Sequence, residues 1–226
     1  MVERKSVSVI LPCYNEGERI LPVVEEVKKS SVVSEIVIVD DGSDKFTKDV
    51  LKKITGVKII HHIENQGKSK AMQTGVLNVT SDIVVFLDTD LSGFRGIYIN
   101  DLVRPIVQND YDLVLGDYEK ELKFFKLIGL SIVLTGQRAI KRDLLLKNMN
   151  IFDYGGYLAE VAMNKIFFKK NKIKRIFLKN VGQVFKYQKN GMIGFLNDLK
   201  FFFRLIKKIG LRELVNQILY VKMLEE

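Results

Sequence analysis

Short apolar runs alternate with stretches of helical periodicity through the first half of the chain. Residues 6–12, Ser-Val-Ser-Val-Ile-Leu-Pro, read as a strand that becomes buried toward its end, with Pro12 as its stop. Residues 17–29 place Ile20, Val23, Val24 and Val27 at helical spacing. A second apolar run, 35–39, ends at Asp40-Asp41-Gly42-Ser43, where Ser43 or Asp44 can cap a helix over 44–54. Strands at 57–60, 82–87 and 112–115 and helices at 68–78 and 98–108 continue the alternation. Strand and helix following each other in this way predict an α/β fold with a mostly parallel sheet flanked by helices.

The second half is less regular. Helices are expected over 120–134 and over 157–169, where Tyr157, Val161, Ile166 and Phe167 are apolar, and strands over 173–178 and 181–187. From 192 to 224 the pattern is helical, with a break at Gly210. There Phe195, Leu199, Phe202, Leu205 and Ile206 mark an apolar face, and Lys200, Arg204, Lys207 and Lys208 lie largely between them. Such a basic amphipathic helix either docks on the core or lies on a membrane surface. The expected organisation is one domain over 1–190, built of halves 1–118 and 119–190, followed by basic helices over 191–226.

Composition narrows the chemistry. At 226 residues and 47% hydrophobic the chain can bury a proper core, which excludes wholesale disorder. One cysteine, Cys13, excludes a disulfide framework and a Cys-based zinc cluster. His61 and His62 are the only histidines, so a bound metal is expected on carboxylates, which suit Mg²⁺ or Mn²⁺. Residues 1–12 open into a strand pattern rather than a leader, and Lys126 interrupts the longest apolar candidate, Phe124 to Gly136. A reducing, cytoplasmic setting is expected, with peripheral attachment to the membrane face as the alternative to free solution. Residues 1–118 hold 14 Lys/Arg against 18 Asp/Glu, whereas residues 119–226 hold 22 against 9. A net of +13 in the second half suits an anionic substrate, an anionic membrane or a plain solvated surface. No nucleic-acid recognition motif accompanies it, and nothing fixes the oligomeric state.

Four polar clusters fall at strand ends, the edge where open parallel sheets gather ligands. Asp88-Thr89-Asp90 presents two carboxylates straight after a buried strand, and like charges that close are relieved by a divalent cation carrying phosphate oxygens. Asp40 can accept hydrogen bonds from a base or ribose. Tyr14, within Pro12-Cys13-Tyr14-Asn15-Glu16-Gly17, can stack on a planar base. Asn65-Gln66-Gly67-Lys68-Ser69-Lys70 sets a glycine and lysines at a helix start, suited to phosphate. Each also has a plainer reading: a turn, a capped helix start, a packed cysteine.

Taken together, residues Val7 to Glu16, Glu35 to Asp44, Asn65 to Ala71 and Ile83 to Asp90 resemble family 2 glycosyltransferases of the GT-A fold, nearest to the dolichyl-phosphate mannose synthase and glucosyl-3-phosphoglycerate synthase types. The resemblance covers about residues 5–118. It continues into Leu134 to Ala139 and Gly156 to Glu160. It implies nucleotide contacts from Pro12, Tyr14, Glu16, Asp40, Lys68 and Asp88, and a metal on Asp88 and Asp90. It further implies Gly136 and Arg138 near the acceptor or its phosphate, and Glu160 near the reacting centre as a base. The chain departs from the pattern at Ser92, where many relatives have glutamine. It also lacks a histidine after the last strand, where Gln183 and Lys186 stand instead. The implied activity is metal-dependent transfer of a sugar from a UDP- or GDP-linked donor to a polyprenyl phosphate at a membrane. A small anionic acceptor such as a phosphoglycerate is the alternative. A nucleotidyltransferase shares such a sheet, but its first loop is usually basic, and no basic residue precedes Arg19 here.

Overall fold

The computed structural model describes residues 5–120, 130–156, 158–183 and 205–224. The expected helix before 130, the strand past 183, Tyr157, Lys186 and the amphipathic stretch with Phe195, Leu199, Lys200, Phe202 and Arg204 lie outside the described residues.

Along the chain, β1 (Val7–Cys13) leads through a 3-10 turn into α1 (Ile20–Lys28). Then follow β2 (Glu35–Asp40), α2 (Lys45–Leu51), β3 (Lys58–His61), α3 (Lys68–Leu77) and β4 (Ile83–Phe86). The two-residue β5 (Leu91–Ser92), α4 (Ile97–Asn109) and β6 (Leu113–Lys120) complete the first half. Beyond it come α5 (Leu130–Val133), β7 (Arg138–Lys141), α6 (Arg142–Lys147), α7 (Ala159–Phe167), β8 (Ile173–Gln183) and α8 (Leu211–Met223). The sheet runs β3-β2-β1-β4-β7-β6-β8-β5. The four strands β3, β2, β1 and β4 are mutually parallel, and β7 runs antiparallel to both β4 and β6.

Continuous apolar runs become central strands because both sheet faces are covered. Along β1, Ile10 enters one core with Val37, Val39, Val84 and Phe86. Val7, Val9 and Leu11 enter the other with Ile36, Ile38 and Val85. The helices α1 and α4 cover that second face, and α3 and α7 cover the first. The helix α3 lies so close to β1 that a Cβ on Gly75 would stand 2.4 Å from Ile10 Cγ2. That approach fixes where the start of α3 meets the sheet edge.

Three expectations change. Pro12 does not end β1, which continues to Cys13. Its missing N–H faces the β4 side, where pairing has already stopped at Ile10↔Phe86, so the ladder loses nothing. The two strands expected over 173–187 are one strand through Gln183, with a register shift against β6 and Asn180 at φ 61. The short strand β7 had no apolar run to announce it, since Arg138 and Lys141 bound it.

Of the two proposed caps for α2, Asp44 is the one used, its carboxylate accepting from Thr47 N at 2.8 Å. Asp44→Ala is expected to cost about 1 kcal/mol, read as a shifted urea midpoint with unchanged slope. The break at Gly210 is present at φ +86. On both sides of it Leu205, Ile209, Leu214 and Val221 join the first core, so the described part of the C-terminal segment docks on the domain. No helix among the described residues is long and apolar enough to cross a membrane.

Candidate active site

A cleft of about 370 Å³ opens beyond the carboxyl ends of β1, β2 and β4. Pro12, Tyr14 and Glu16 contribute from the loop after β1, and Asp41 from the end of β2. Gly67 and Lys68 come from the start of α3, and Asp88, Thr89 and Asp90 from the end of β4. Of the expected site residues, the structure therefore brings together Pro12, Tyr14, Glu16, Lys68, Asp88 and Asp90.

The loop after β1 is tied to the loop after β2. Asn15 adopts a left-handed conformation, φ 54, which asparagine tolerates better than most residues. Its N–H donates to Ser43 Oγ and its Oδ1 accepts from Asp44 N. Tyr14 stays 48% exposed at the cleft wall, leaving a ring face for a planar ligand. Glu16 is bound to Arg19 at 2.8 Å.

Asp40 and Asp41 divide their work in an unexpected way. Asp40 is fully buried and does not line the cleft. It accepts from Ser43 N and pairs with His61 Nδ1 at 2.7 Å. Burial pushes its carboxyl up, but the hydrogen bonds from Ser43 and His61 outweigh this and hold it below the usual carboxylate range. Asp41 is the carboxylate that reaches the cleft wall. It accepts from Gln66 N (2.9 Å), Gly67 N (2.7 Å) and Asn65 Nδ2 (2.9 Å), and pairs with His62 Nδ1 (2.7 Å). Asp41 thereby shapes the loop that delivers Lys68. His62 thus helps order this wall, and His61 anchors the buried Asp40 behind it. The parallel register Asp40↔His61 is the signal that could have found them.

Lys68 stands between two carboxylates, 2.6 Å from Asp88 Oδ1 and 2.8 Å from Glu160 Oε1. Burial alone would favour the neutral amine, but both carboxylates hold the ammonium charged and its pKa above the lysine range. Burial likewise pushes Asp88 up, and Lys68, Gln137 and Arg138 together bring it below the usual range. Gln137, which sequence reasoning left without a role, donates from Nε2 to Asp88 Oδ2 at 2.8 Å. The Thr135 hydroxyl, 2.9 Å from Gln137 Oε1, orients that amide. Both oxygens of Asp88 are therefore fixed in direction.

Two expected contacts take other places. Arg138 is fully buried behind the cleft and does not line it. Its guanidinium donates to Thr135 O, Glu160 O and Asn164 Oδ1, joining the loop after α5, β7 and α7. Burial lowers its pKa to about 10, which leaves it cationic at neutral pH. It braces the wall behind the cleft. Glu160, in the first turn of α7, is 1% exposed and sits behind Lys68. Cys13 lines the cleft, but burial, with Asp40 and Glu16 adding to it, pushes its thiol up to about 12. It remains a protonated packing group rather than a nucleophile.

Among the described residues, no group of three His, Cys, Asp or Glu is placed to hold a metal ion. Asp88 and Asp90 offer two hard-oxygen ligands, the number Mg²⁺ or Mn²⁺ takes when substrate phosphates supply the others. The donor set fits such an ion.

Comparison with known proteins agrees with this architecture. The chain is 29% identical over 164 residues to a dolichyl-phosphate β-glucosyltransferase of Trichomonas vaginalis, covering 60% of this chain and 50% of that protein. It is 30% identical over 129 residues to the glucosyl-3-phosphoglycerate synthase of Mycolicibacterium smegmatis, covering 53% and 42%. The chain spans about half the length of the curated relatives it matches. A crystal structure of glucosyl-3-phosphoglycerate synthase from Mycobacterium tuberculosis, in complex with Mn²⁺, UDP-glucose and glycerol 3-phosphate, superposes with a TM-score of 0.72 at 21% identity. The superposition covers 91% of this chain and 80% of that one, and it shows the shared fold. The model of the family described as "Glycosyl transferase family 2" matches residues 8–168, which include every strand and loop that lines the cleft, and the chain belongs to that family.

Proposed function

We propose that this protein transfers a glycosyl group from a nucleotide sugar to the phosphate of a polyprenyl phosphate. The observation that carries the donor half is the cleft itself. Tyr14, Asp41, Lys68, Asp88 and Asp90 all line it, and in this reading the Tyr14 ring stacks on the base while Lys68, Asp88 and Asp90 serve the diphosphate. Asp88 and Asp90 would hold Mg²⁺ or Mn²⁺, which supplies Lewis-acid neutralisation of the leaving diphosphate. Lys68 adds a cation preset by Asp88 and Glu160 beside that leaving group. In the transfer, the C1–O bond to the diphosphate breaks and an acceptor oxygen forms a new bond to C1.

The acceptor half rests on Glu160. A hydroxyl acceptor must lose a proton, and a positioned base would help by about 10²–10⁴-fold. The carboxylate expected in that place is buried behind Lys68, with its Oε1 paired to that ammonium. A phosphate acceptor is already anionic and needs no base. The +13 charge of residues 119–226 favours the same acceptor class. A small anionic acceptor such as a phosphoglycerate is the second reading, favoured by the synthase relative. A nucleotidyltransferase has less support. The first cationic side chain after β1, Arg19, is tied to Glu16 Oε2 and Asn15 O rather than offered to a triphosphate.

The test is thermal stabilisation by UDP, GDP, CDP and their sugar conjugates, with and without Mn²⁺. One nucleotide at a hundred times its dissociation constant is expected to add about 2.7 kcal/mol, with the metal-dependent part lost in Asp90→Ala. Stabilisation by none of them would sink the donor assignment. Incubating the labelled donor with polyprenyl phosphate and with 3-phosphoglycerate then separates the two acceptors.

A further inference from the structure

The outward face of α8 is apolar and basic together. Leu211, Val215, Leu219 and Met223 are 58%, 44%, 56% and 78% exposed, four apolar side chains at a constant spacing of four residues. At 100° per residue they fall with Arg212, Asn216 and Lys222 in an arc of about 140°. All seven of these residues are exposed. The opposite side holds Leu214, Gln217 and Val221, which are buried against the core. Glu213, the one acid of α8, lies outside the exposed arc, half-buried and within hydrogen-bond reach of Gln217. Just before the helix, Lys207 and Lys208 are exposed too. Core packing therefore does not explain this face, and a solvated face would not carry four large apolar groups in line.

We infer that this face of α8 is a docking surface for the headgroup region of an anionic lipid bilayer. Apolar side chains interleaved with cations, with no carboxylate in the arc among the described residues, are the composition of a helix lying in a membrane interface. A second copy fits poorly. Two-fold antiparallel pairing of the stripe about Gln217 sets Arg212 of each chain opposite Lys222 of the other, like charge against like. The segment that carries the surface is tied to elements that border the cleft. Lys208 Nζ donates to Tyr154 O at 2.9 Å, two residues from Gly156, which lines the cleft. Gln217 Nε2 donates to Val161 O of α7, the helix whose first turn carries Glu160. As the side from which a lipid-borne acceptor arrives, the surface rests on the reading proposed above. As a lipid-binding face it stands on α8 alone.

The full chain is floated with phosphatidylcholine vesicles and with vesicles of phosphatidylcholine mixed with phosphatidylglycerol, with neither donor nor acceptor present. Binding is expected to the anionic vesicles and to weaken as salt shortens the Debye length from about 10 Å at 0.1 M to about 3 Å at 1 M. Val215→Glu/Leu219→Glu is expected to reduce the bound fraction at least tenfold with an unchanged melting transition. Leu211→Ser/Met223→Ser, milder and at the helix ends, is expected to reduce it as well. Equal binding by the wild type and both variants, or no binding by the wild type, overturns the proposal. So does a concentration-dependent dimer that the same substitutions abolish without any vesicle binding, which would give the face to a second copy. Vesicle binding together with sugar transfer only to 3-phosphoglycerate would keep the surface and remove the lipid-phosphate acceptor.

Discussion

Lys68→Met is expected to cost about 3 kcal/mol at neutral pH, the low end for removing one partner of a buried ion pair. The low end applies because the Lys68 side chain keeps 15% exposure to the cleft. In the native protein the folded-state pKa of Lys68 is raised. Its contribution is complete below the ordinary lysine range and lost only as pH climbs through that raised value. The folded-state pKa of Asp88 is depressed. Its contribution is present above the ordinary carboxylate range and lost as pH falls through the depressed value. Native stability from this pair is therefore level between about pH 5 and pH 10. Without Lys68, the burial that Asp88 suffers loses its largest opposing influence, with Gln137 and Arg138 remaining. Its carboxyl then rises, and the variant gains stability as pH drops toward about 5. Urea unfolding of both proteins at several pH values should show the gap narrowing on acidification. A gap that stays constant would mean that Lys68 does not stabilise an ionised Asp88. Lys68→Met/Asp88→Asn removes the Lys68–Asp88 pair but leaves Glu160 buried without its cation, so it should recover part of the loss, and it keeps the prediction measurable if the single variant folds poorly.

Much of this arrangement was legible in the chain because the parallel strands are buried on both faces. In β1, β2 and β4 nearly every position must be apolar, so the runs stand out, and the polar residues that follow them mark the sheet edge. Charge arithmetic and the spacing of Asp88 and Asp90 then narrowed the chemistry. What stayed hidden depends on which way a single residue points. Asp40 and Asp41 are neighbours, and side chains alternate at a strand end, so a shift of one residue exchanges a buried anchor for a cleft wall. Arg138 was placed near an acceptor by the family resemblance alone, which says nothing of which way its side chain points. Its true partners, Thr135 O, Glu160 O and Asn164, converge only after β7 inserts between β4 and β6. Gln137 was hidden for the same reason, its partner Asp88 being 49 residues away.

That insertion has a consequence for Gly136, the residue that leads into β7. A Cβ built there would stand 2.5 Å from Asp88 Oδ2, 2.6 Å from Oδ1 and 2.8 Å from Cγ. Its backbone has no left-handed φ, so alanine suits the chain locally and any effect of Gly136→Ala comes from the collision. A flexible surface carboxylate would swing aside. Asp88 is held by Lys68 on one oxygen and Gln137 on the other, so yielding by the needed half ångström or more breaks one of those bonds. The expected stability cost is about 1–3 kcal/mol, as for other overpacked sites. The expected functional cost is larger: displacing a positioned group by about 1 Å lowers turnover by about 10²-fold. Gly136→Ala should therefore remain folded, lose the Mn²⁺-dependent part of nucleotide stabilisation, and lose about 10²-fold in transfer. Gly56→Ala is the control, since it carries the strain of φ +71 with nothing within 4 Å of the new methyl. It should lose about 1 kcal/mol of stability and no activity. Full metal-dependent binding by Gly136→Ala would show that the carboxylate of Asp88 does not have to stay where β7 holds it, and would shift the metal and the diphosphate onto Asp90.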